Sequence, residues 1–192
     1  MTVEILYPEL CNLYGDRGNV LCLRKRLLWR GIDANVEEVS IGQKLEASKY
    51  DLLFIGGGQD FEQEVLLPDL RGEKTQELIS AIDDGLPVLA ICGGYQMLGE
   101  TLSDPYGVEA GGTIKGMGLL PMDTVFARNK TRTRVSGRFG ALTGELSSLS
   151  GAEVEGYEIH MGETVLNGEA RHSLSIRDSV SGSEKEDGAY LG

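Results

Sequence analysis

The sequence predicts an α/β protein: a mainly parallel central sheet flanked by helices, followed by an antiparallel C-terminal part. In the first hundred residues, short apolar runs alternate with segments of helical periodicity, which is typical of strand–helix–strand units. Two of these runs end in clustered glycines, at the position where parallel sheets place their ligand sites. From about Gly111 onward, glycines and short alternating runs dominate, which indicates antiparallel strands and turns.

Each element of the first half follows from its own pattern. We expect strands at 3–6, 34–39, 50–55 and 87–91, and helices at 20–30, 74–84 and from 95 onward. The runs at 50–55 and 87–91 are largely apolar without alternation, so we expect both strands to be buried. Leu78, Ile79 and Ile82 recur at helical spacing and are expected to share one apolar face.

Length and composition are those of one globular domain, residues 1–192. The chain is 41% hydrophobic and 25% charged, and it is long enough to bury a single core. No apolar run approaches the ~20 residues needed to cross a bilayer, and the N-terminus lacks the features of a secretory signal, so we expect a cytoplasmic protein without membrane insertion. A net charge of −12 disfavours nucleic acid as a partner. The basic run at 24–30 is expected to be the solvated face of a helix.

Cysteine and histidine usage restricts the chemistry further. Three widely spaced cysteines, Cys11, Cys22 and Cys92, favour reduced thiols over a disulfide framework. Cys22 lies inside the first predicted helix, where we expect it to pack. The two histidines, with no CxxC or HxxxH spacing, indicate that the chain binds no metal.

Cys92 lies between the predicted strand at 87–91 and a helix, and two glycines follow it directly. This is the arrangement of a nucleophile elbow, although Ala90 stands where such elbows usually have a glycine. The helix N-terminus would favour the reactive thiolate. We expect the Gly93 N–H to stabilise an oxyanion, with a second donor from the loop at 56–58. The alternative is that Cys92 is a small buried hydrophobe, as an isolated cysteine usually is.

The segment ICGGYQMLG at 91–99 resembles the class I (triad) glutamine amidotransferases, specifically their CobB/CobQ-like branch. FIGGGQDFEQE at 54–64, GMGLLPMDT at 116–124 and GYEIHMGET at 156–164 match the same branch. YPELCNLYGDRGNVLCLRKR and GGGQDFEQE are similar to the GatD subunits of lipid II isoglutaminyl synthases, whereas GYEIHMG is closer to the cobyric acid synthases. The resemblance covers nearly the whole chain and implies a flavodoxin-like class I amidotransferase fold.

This resemblance implies glutamine hydrolysis. Cys92 would attack the side-chain carboxamide of L-glutamine, giving a γ-glutamyl thioester and ammonia, and water would then release glutamate. The ammonia would pass to a ligase that activates a carboxylate with ATP. The chain has no GxxxxGK[ST] phosphate loop, so no cofactor is expected here, and ATP and Mg²⁺ are expected on the partner. In the GatD-like case the implied partner is a Mur-ligase-like synthetase of MurT type, in a heterodimer that amidates peptidoglycan precursors.

The resemblance also implies a catalytic histidine in a G-T-Y-x-H-G segment far downstream of the cysteine. The chain ends at Gly192 without such a segment, so we expect it to be truncated at its C-terminus and to be a poor glutaminase alone. The acidic member of the triad would fall near or beyond that end and is not assigned. His160 is the candidate base within the chain, although its motif is more typical of a structural or substrate-side residue. His172 is expected to be exposed and incidental.

Further substrate contacts have alternatives of their own. Gly57 and Gly58 are expected to contact the oxyanion or the substrate, or else to form a turn that needs positive φ. Gln96 is expected to bind the substrate or brace the elbow. Arg134, in the basic run at 127–134, would bind the glutamine α-carboxylate in bidentate fashion. The alternative for that run is a solvated hairpin turn.

The segment YGDRGN at 14–19 also has two interpretations. Its glycines and Asp16 fit a strand-to-helix turn with Asn19 as the helix cap, and we favour this structural role. The alternative is contact with the synthetase partner.

Two functional classes follow from these patterns. The first is a glutaminase subunit that supplies ammonia to a separate ligase, and the intact elbow favours it. The second is a non-catalytic relative that binds or regulates a partner, and the missing histidine motif favours it. The acceptor of the ammonia, lipid II or a corrinoid carboxylate, would bind to the ligase. This sequence therefore does not identify it.

Overall fold

The computed structural model describes residues 1–8, 11, 16–58, 60–109 and 111–191, without the side chains of 60–64 and 145. The chain divides into an N-terminal unit, Met1–Gly99 with Ile114–Leu119, and a C-terminal unit, Glu100–Thr113 with Leu120–Gly192. The elements up to Gly99 are β1 (Thr2–Leu6), α1 (Arg17–Leu28), β2 (Asn35–Val39), β3 (Leu52–Ile55), α2 (Asp60–Leu70), α3 (Glu73–Asp83), β4 (Val88–Ala90) and α4 (Gly93–Met97). After them come β5 (Thr101–Asp104), β6 (Gly112–Lys115), β7 (Met122–Phe139), β8 (Glu153–Leu166), β9 (Leu174–Asp178) and β10 (Glu184–Asp187), with 3-10 turns at Ala47–Lys49 and Gly144–Leu149.

The N-terminal unit is built on a four-stranded parallel sheet with strand order β2-β1-β3-β4. Parallel neighbours need crossover connections, which α1 supplies between β1 and β2, and α2 with α3 supplies between β3 and β4. The predicted parallel sheet flanked by helices is therefore confirmed. The carboxyl ends of β3 and β4 lie side by side, with Ile55 paired to Ala90.

Successive residues of β1 face opposite sides of this sheet. Val3 and Ile5 pack with Val20 of α1 and Phe54 of β3, and Leu23 of α1 adds to the same cluster. This cluster is the apolar layer that attaches α1 to the sheet, because Val20 is the buried residue of that helix.

Glu4 lies between Val3 and Ile5 in β1 and is fully buried. Among the described residues, no hydrogen-bond donor reaches either of its carboxylate oxygens. Burial, together with the negative charge of Glu37 on the neighbouring strand, raises the pKa of Glu4 to about 7, although Lys74 acts in the opposite direction. The parallel sheet thus contains a buried carboxyl group with a pKa of about 7, whose oxygens have no hydrogen-bond donor among the described residues.

The predicted burial is wrong at two elements of the N-terminal unit. The strand that we expected to be buried at 87–91 is the edge strand β4, and Leu89 within it is 46% exposed. In α3 the buried residues are Lys74, Leu78 and Ala81, whereas Ile79 and Ile82 are exposed. The shared apolar face predicted for that helix is therefore wrong for its two isoleucines.

Three local predictions are also corrected. Cys22 is exposed rather than packed, because the face of α1 that meets the sheet carries Val20 instead. Asn19 lies inside α1, and the N-cap is Asp16. The helix expected from residue 95 onward is the single short helix α4, which begins at Gly93 and ends at Met97.

The C-terminal unit is dominated by the long strand β7, which pairs antiparallel with β8 and β9, while β9 pairs antiparallel with β10. The sheet is mixed rather than wholly antiparallel, because β5 pairs with β7 in parallel, and the strand order is β10-β9-β7-β5-β6 with β8 on β7. The β7–β8 register shifts between Phe126 and Thr131, which marks a bulge. No helix in the described part of the chain is long and apolar enough to span a membrane.

Candidate active site

Cys92 occupies a strained turn between β4 and α4. Its backbone has φ 52° and ψ −115°, and among the described non-glycine residues only Tyr7 also has positive φ. A side chain in this region costs of order 1–3 kcal/mol, and such strain concentrates at functional sites. The strand-to-helix junction expected at Cys92 is present, and the backbone there turns as sharply as an elbow requires.

Hydrogen bonds join this turn to the end of β3. The Ile91 amide donates to the Ile55 carbonyl at 2.9 Å, and the Gly94 amide donates to the Gly56 carbonyl at 3.1 Å. The Gln96 amide donates to the Cys92 carbonyl at 3.0 Å, which closes the first turn of α4. The turn is therefore held from both sides, by the neighbouring strand end and by its own helix.

Gly94 permits the close approach of α4 to β3. A Cβ atom built on Gly94 would lie 2.6 Å from the Gly56 carbonyl oxygen and 2.7 Å from the Ile55 carbonyl oxygen. Both contacts are with backbone atoms, which cannot move aside as a flexible side chain can. The second glycine after the cysteine is thus required by the packing of the two loops.

The loop after β3 lies against the same turn. Gly57 is buried and Gly58 is half-buried, and neither is among the described residues with positive φ, so the alternative role in a positive-φ turn is wrong. Gly93 is buried and is the first residue of α4, so its N–H has no acceptor within the helix. Gln96 is buried one turn into the same helix. Gly57 and Gly58 thus lie in the loop after β3, and Gly93 and Gln96 lie in the helix that follows Cys92.

Cys92 is not fully buried. The residue is half-buried and forms no disulfide, whereas Cys11 is buried. A nucleophile must be reachable by a substrate, so this intermediate exposure is compatible with reactivity.

Asp16 lies beside the loop at 56–58. The sequence pattern predicted only that it belongs to the turn before α1. A Cβ atom built on Gly56 would lie 2.8 Å from the Asp16 Cβ and 3.0 Å from its Cγ. The side chain is buried, and among the described residues no donor reaches its Oδ2. As the N-cap of α1, Asp16 makes no side-chain hydrogen bond to the helix amides. The sequence signal was an aspartate between two glycines in a strand-to-helix turn, which ordinarily indicates a structural role in the turn.

His160 belongs to the C-terminal unit, in β8. Its Nδ1 lies 2.9 Å from the Gly162 carbonyl oxygen and its Nε2 lies 3.0 Å from Glu158 Oε1. Both ring nitrogens therefore lie within hydrogen-bond distance of oxygen atoms in the same strand. Lys185 Nζ lies 2.6 Å from the same Glu158 oxygen.

Glu158 is the centre of this cluster. It is buried, which opposes ionisation, but the hydrogen bonds from His160 and Lys185 outweigh burial and lower the pKa of its carboxyl. Lys185 lies in β10, which β9 and β7 separate from β8 in the sheet order, so this contact joins two strands that are not neighbours. His160 thus holds a buried carboxylate in a structural network.

Arg134 also belongs to the C-terminal unit. The run at 127–134 is part of the continuous strand β7, so the alternative of a hairpin turn is wrong. Arg134 is exposed on that strand, is paired with Tyr157 of β8, and its carbonyl accepts a hydrogen bond from the Ser179 amide at 2.8 Å. His172 is exposed as expected, with Nδ1 lying 3.1 Å from the Gly188 carbonyl oxygen.

In the described part of the chain, no three His, Cys, Asp or Glu side chains are grouped as metal ligands would be.

Comparisons with known proteins agree with this geometry. A family model described as the CobB/CobQ-like glutamine amidotransferase domain matches residues 2–192. The chain is 56% identical over 108 residues to a cobyric acid synthase of Ruminiclostridium cellulolyticum, covering 55% of this chain and 21% of that protein. It is 36% identical over 166 residues to the GatD subunit of lipid II isoglutaminyl synthase of Staphylococcus aureus, covering 85% of this chain and 62% of that subunit.

The chain matches about a fifth of the cobyric acid synthase and about three fifths of the GatD subunit. Among solved structures, PurLQS from Thermotoga maritima superimposes with a TM-score of 0.57 at 16% identity, covering 93% of this chain and 74% of that one. A glutamine amidotransferase from the same organism also gives a TM-score of 0.57 at 16% identity, covering 91% of this chain and 66% of that one. These likenesses confirm the predicted fold class.

Proposed function

The chain belongs to the CobB/CobQ-like glutamine amidotransferase family, and we propose that it hydrolyses L-glutamine with Cys92 as the nucleophile. Membership of this family supports an amidotransferase or glutaminase activity. The observation that carries the assignment of Cys92 is its strained backbone at the end of β4, flanked by glycines on two loops. The family match spans both units, which supports one amidotransferase domain over residues 1–192.

The proposed reaction begins with the Cys92 thiolate. Its sulfur adds to the side-chain carbonyl carbon of glutamine and forms a tetrahedral oxyanion. The oxyanion collapses to a γ-glutamyl thioester as the C–N bond breaks and the leaving nitrogen takes up a proton to depart as ammonia. Water then adds to the thioester, and loss of the thiolate releases glutamate. Each step needs a negative oxygen to be stabilised beside the sulfur.

The backbone around Cys92 supports that stabilisation. The Gly93 amide is a helix-terminal donor without an intrahelical acceptor, and the loop of Gly57 and Gly58 brings a second set of amides to the same end of the sheet. Buried Gln96 stands one turn further along α4, where it braces the turn or meets the substrate. Because α4 has only five residues, we attribute little to a helix dipole and more to these individual amides.

The proton acceptor for the thiol is not assigned to His160. Both of its ring nitrogens face acceptors, and its Glu158–Lys185 network accounts for its position without catalysis. Arg134 remains our candidate for the glutamine α-carboxylate, because an exposed guanidinium can bind a carboxylate through two parallel hydrogen bonds.

We further propose that the ammonia serves a partner ligase that holds ATP and Mg²⁺, of the Mur-ligase-like MurT type, in a cytoplasmic heterodimer that amidates lipid II. The GatD subunits of S. aureus and Streptococcus pneumoniae support this proposal, because they match 85% and 87% of this chain. The second candidate is amidation of a corrinoid carboxylate in cobalamin biosynthesis. The higher identity to a cobyric acid synthase, 56% over 108 residues, favours that alternative.

The nucleophile is tested by labelling with 6-diazo-5-oxo-L-norleucine, an electrophilic glutamine mimic, followed by mass spectrometry of the cysteine peptides. Labelling tests whether the thiol is reactive and whether its substrate pocket is formed, and it does not require a complete proton relay. We expect stoichiometric modification of Cys92 and none in Cys92→Ser, while Cys22→Ser, which removes an exposed thiol, labels normally. Wild-type protein that stays unlabelled would favour the non-catalytic class instead.

The acceptor is tested by co-purification and ammonia transfer. Complex formation with a Mur-ligase-like protein, and glutamine-dependent amidation of lipid II by the pair, would support the GatD-like assignment. Amidation of a corrinoid carboxylate with a corrinoid synthetase would overturn it in favour of the alternative.

A further inference from the structure

We infer that Asp16 binds the α-ammonium group of the glutamine substrate. This inference rests on the proposed function, since it names a contact to the same substrate at the same site. It starts from a buried carboxylate whose Oδ2 has no hydrogen-bond donor among the described residues.

The location of Asp16 connects it to the nucleophile. Its Cβ and Cγ lie against Gly56, within 2.8 and 3.0 Å of where a Cβ on that glycine would be. The carbonyl of Gly56 accepts the hydrogen bond from Gly94, two residues after Cys92. The carboxyl group therefore lies against the loop after β3, and that loop is hydrogen-bonded to the cysteine turn.

The burial of Asp16 calls for a cationic partner. The side chain is 5% exposed, and within the described residues Oδ2 has no hydrogen-bond donor. A buried carboxylate without a partner is strongly unfavourable, so such groups are normally paired with a cation or hydrogen-bonded. An unsatisfied buried group in a native fold is therefore a candidate for contact with a ligand.

The Asp16 side chain does not cap α1, which would be its ordinary structural role. An aspartate at an N-cap usually accepts a hydrogen bond from the helix amides, but the Asp16 side chain makes none and packs against Gly56 instead. The helix is linked to the cap through the backbone alone, since the Asn19 amide donates to the Asp16 carbonyl at 2.9 Å. Capping therefore does not explain why a carboxylate is kept there.

The chemistry of the ligand follows from the charge. A primary ammonium offers three donors and a positive charge, and glutamine carries one such group at its α-carbon. Its α-carboxylate would be repelled by Asp16 and must be bound elsewhere. The two charged ends of the substrate thus receive separate partners.

The test compares L-glutamine with glutaramate, which keeps the carboxylate and carboxamide but lacks the α-ammonium. For each compound one measures the concentration that halves the alkylation of Cys92 by iodoacetamide, using the exposed Cys22 as the internal reference. Wild-type protein is expected to be protected by glutamine at a lower concentration than by glutaramate. In Asp16→Asn the advantage of glutamine should fall about 10- to 100-fold, because a charge-assisted hydrogen bond is lost.

The matched control is Asp33→Asn, the same change at an exposed aspartate, which should keep the wild-type ratio. Asp16→Asn is nearly isosteric, and an unchanged melting temperature verifies its fold. A glutamine-to-glutaramate ratio that is the same in Asp16→Asn and wild type would overturn the inference while leaving the glutaminase assignment intact. Wild-type Cys92 that neither compound protects would overturn both. Protection by ammonium chloride, with no preference for glutamine over glutaramate, would assign the carboxylate to the product ion and overturn the inference.

Discussion

The Gly94 amide donates to the Gly56 carbonyl at 3.1 Å, and through this bond the turn after Cys92 is fastened to the loop after β3. The two glycines approach so closely that a methyl group on Gly94 would lie 2.6 Å from that same carbonyl oxygen. The two loops that carry the proposed chemistry are thus one packed assembly in the N-terminal unit.

Gly94→Ala should therefore damage both stability and reactivity. We expect it to lower the free energy of unfolding by about 1–3 kcal/mol, as overpacking against backbone does. It should also slow the labelling of Cys92 by 6-diazo-5-oxo-L-norleucine, because the cysteine turn must shift. Gly18→Ala is the control, since nothing lies within 4 Å of a Cβ at that position of α1. Equal melting temperatures for the two variants would contradict this account.

The strain at Cys92 predicts an unusual stability ranking. Cys92→Gly should be more stable than Cys92→Ala by about 1 kcal/mol, because glycine adopts φ 52° and ψ −115° without steric cost. Urea unfolding of the two variants measures the difference, and both should lose labelling at this position. If alanine proved the more stable, the backbone at Cys92 would not be strained in solution.

Glu4 predicts a dependence of stability on pH. Its folded-state pKa is raised to about 7 by burial and by Glu37, above the ordinary value of 4.5. Between these two values the folded state holds a proton that the unfolded state has lost, so stability should fall as the pH rises through this window. At about 1.4 kcal/mol per pH unit, the loss approaches about 3 kcal/mol at most.

Glu4→Gln removes this titration while keeping the shape of the side chain. Above pH 7 the variant should be more stable than wild type, and near pH 4.5 the two should be similar, in urea unfolding measured across the range. Glu163→Gln, at an exposed glutamate, should retain the wild-type pH profile. Parallel wild-type and Glu4→Gln profiles would show that Glu4 is not the group responsible.

His160 predicts a separation between stability and reactivity. His160→Ala removes the hydrogen bond to the buried Glu158 carboxylate and should cost about 1.5–3 kcal/mol of unfolding free energy. The rate of Cys92 labelling should stay at the wild-type level, because we assign His160 a structural role. His172→Ala, at an exposed histidine, should change neither quantity. Loss of labelling in His160→Ala with unchanged stability would instead identify His160 as the base.

The sequence by itself determined the α/β alternation of the first half and the position of Cys92 at a strand-to-helix junction. Both follow from local patterns, since apolar periodicity and paired glycines act over a few neighbouring residues. The glycine loop at 56–58 was found in the same way.

Only the tertiary structure decided which strands are buried and which side chains contact one another. β4 was expected to be buried but is an edge strand with Leu89 exposed, because burial depends on which elements pack against the faces of a strand. The contact of Asp16 with Gly56, and the Glu158 oxygen shared by His160 and Lys185, join residues from separate elements. Such contacts arise from the strand order and from the packing of separate elements, which are properties of the whole folded chain and leave no periodic pattern in any one segment.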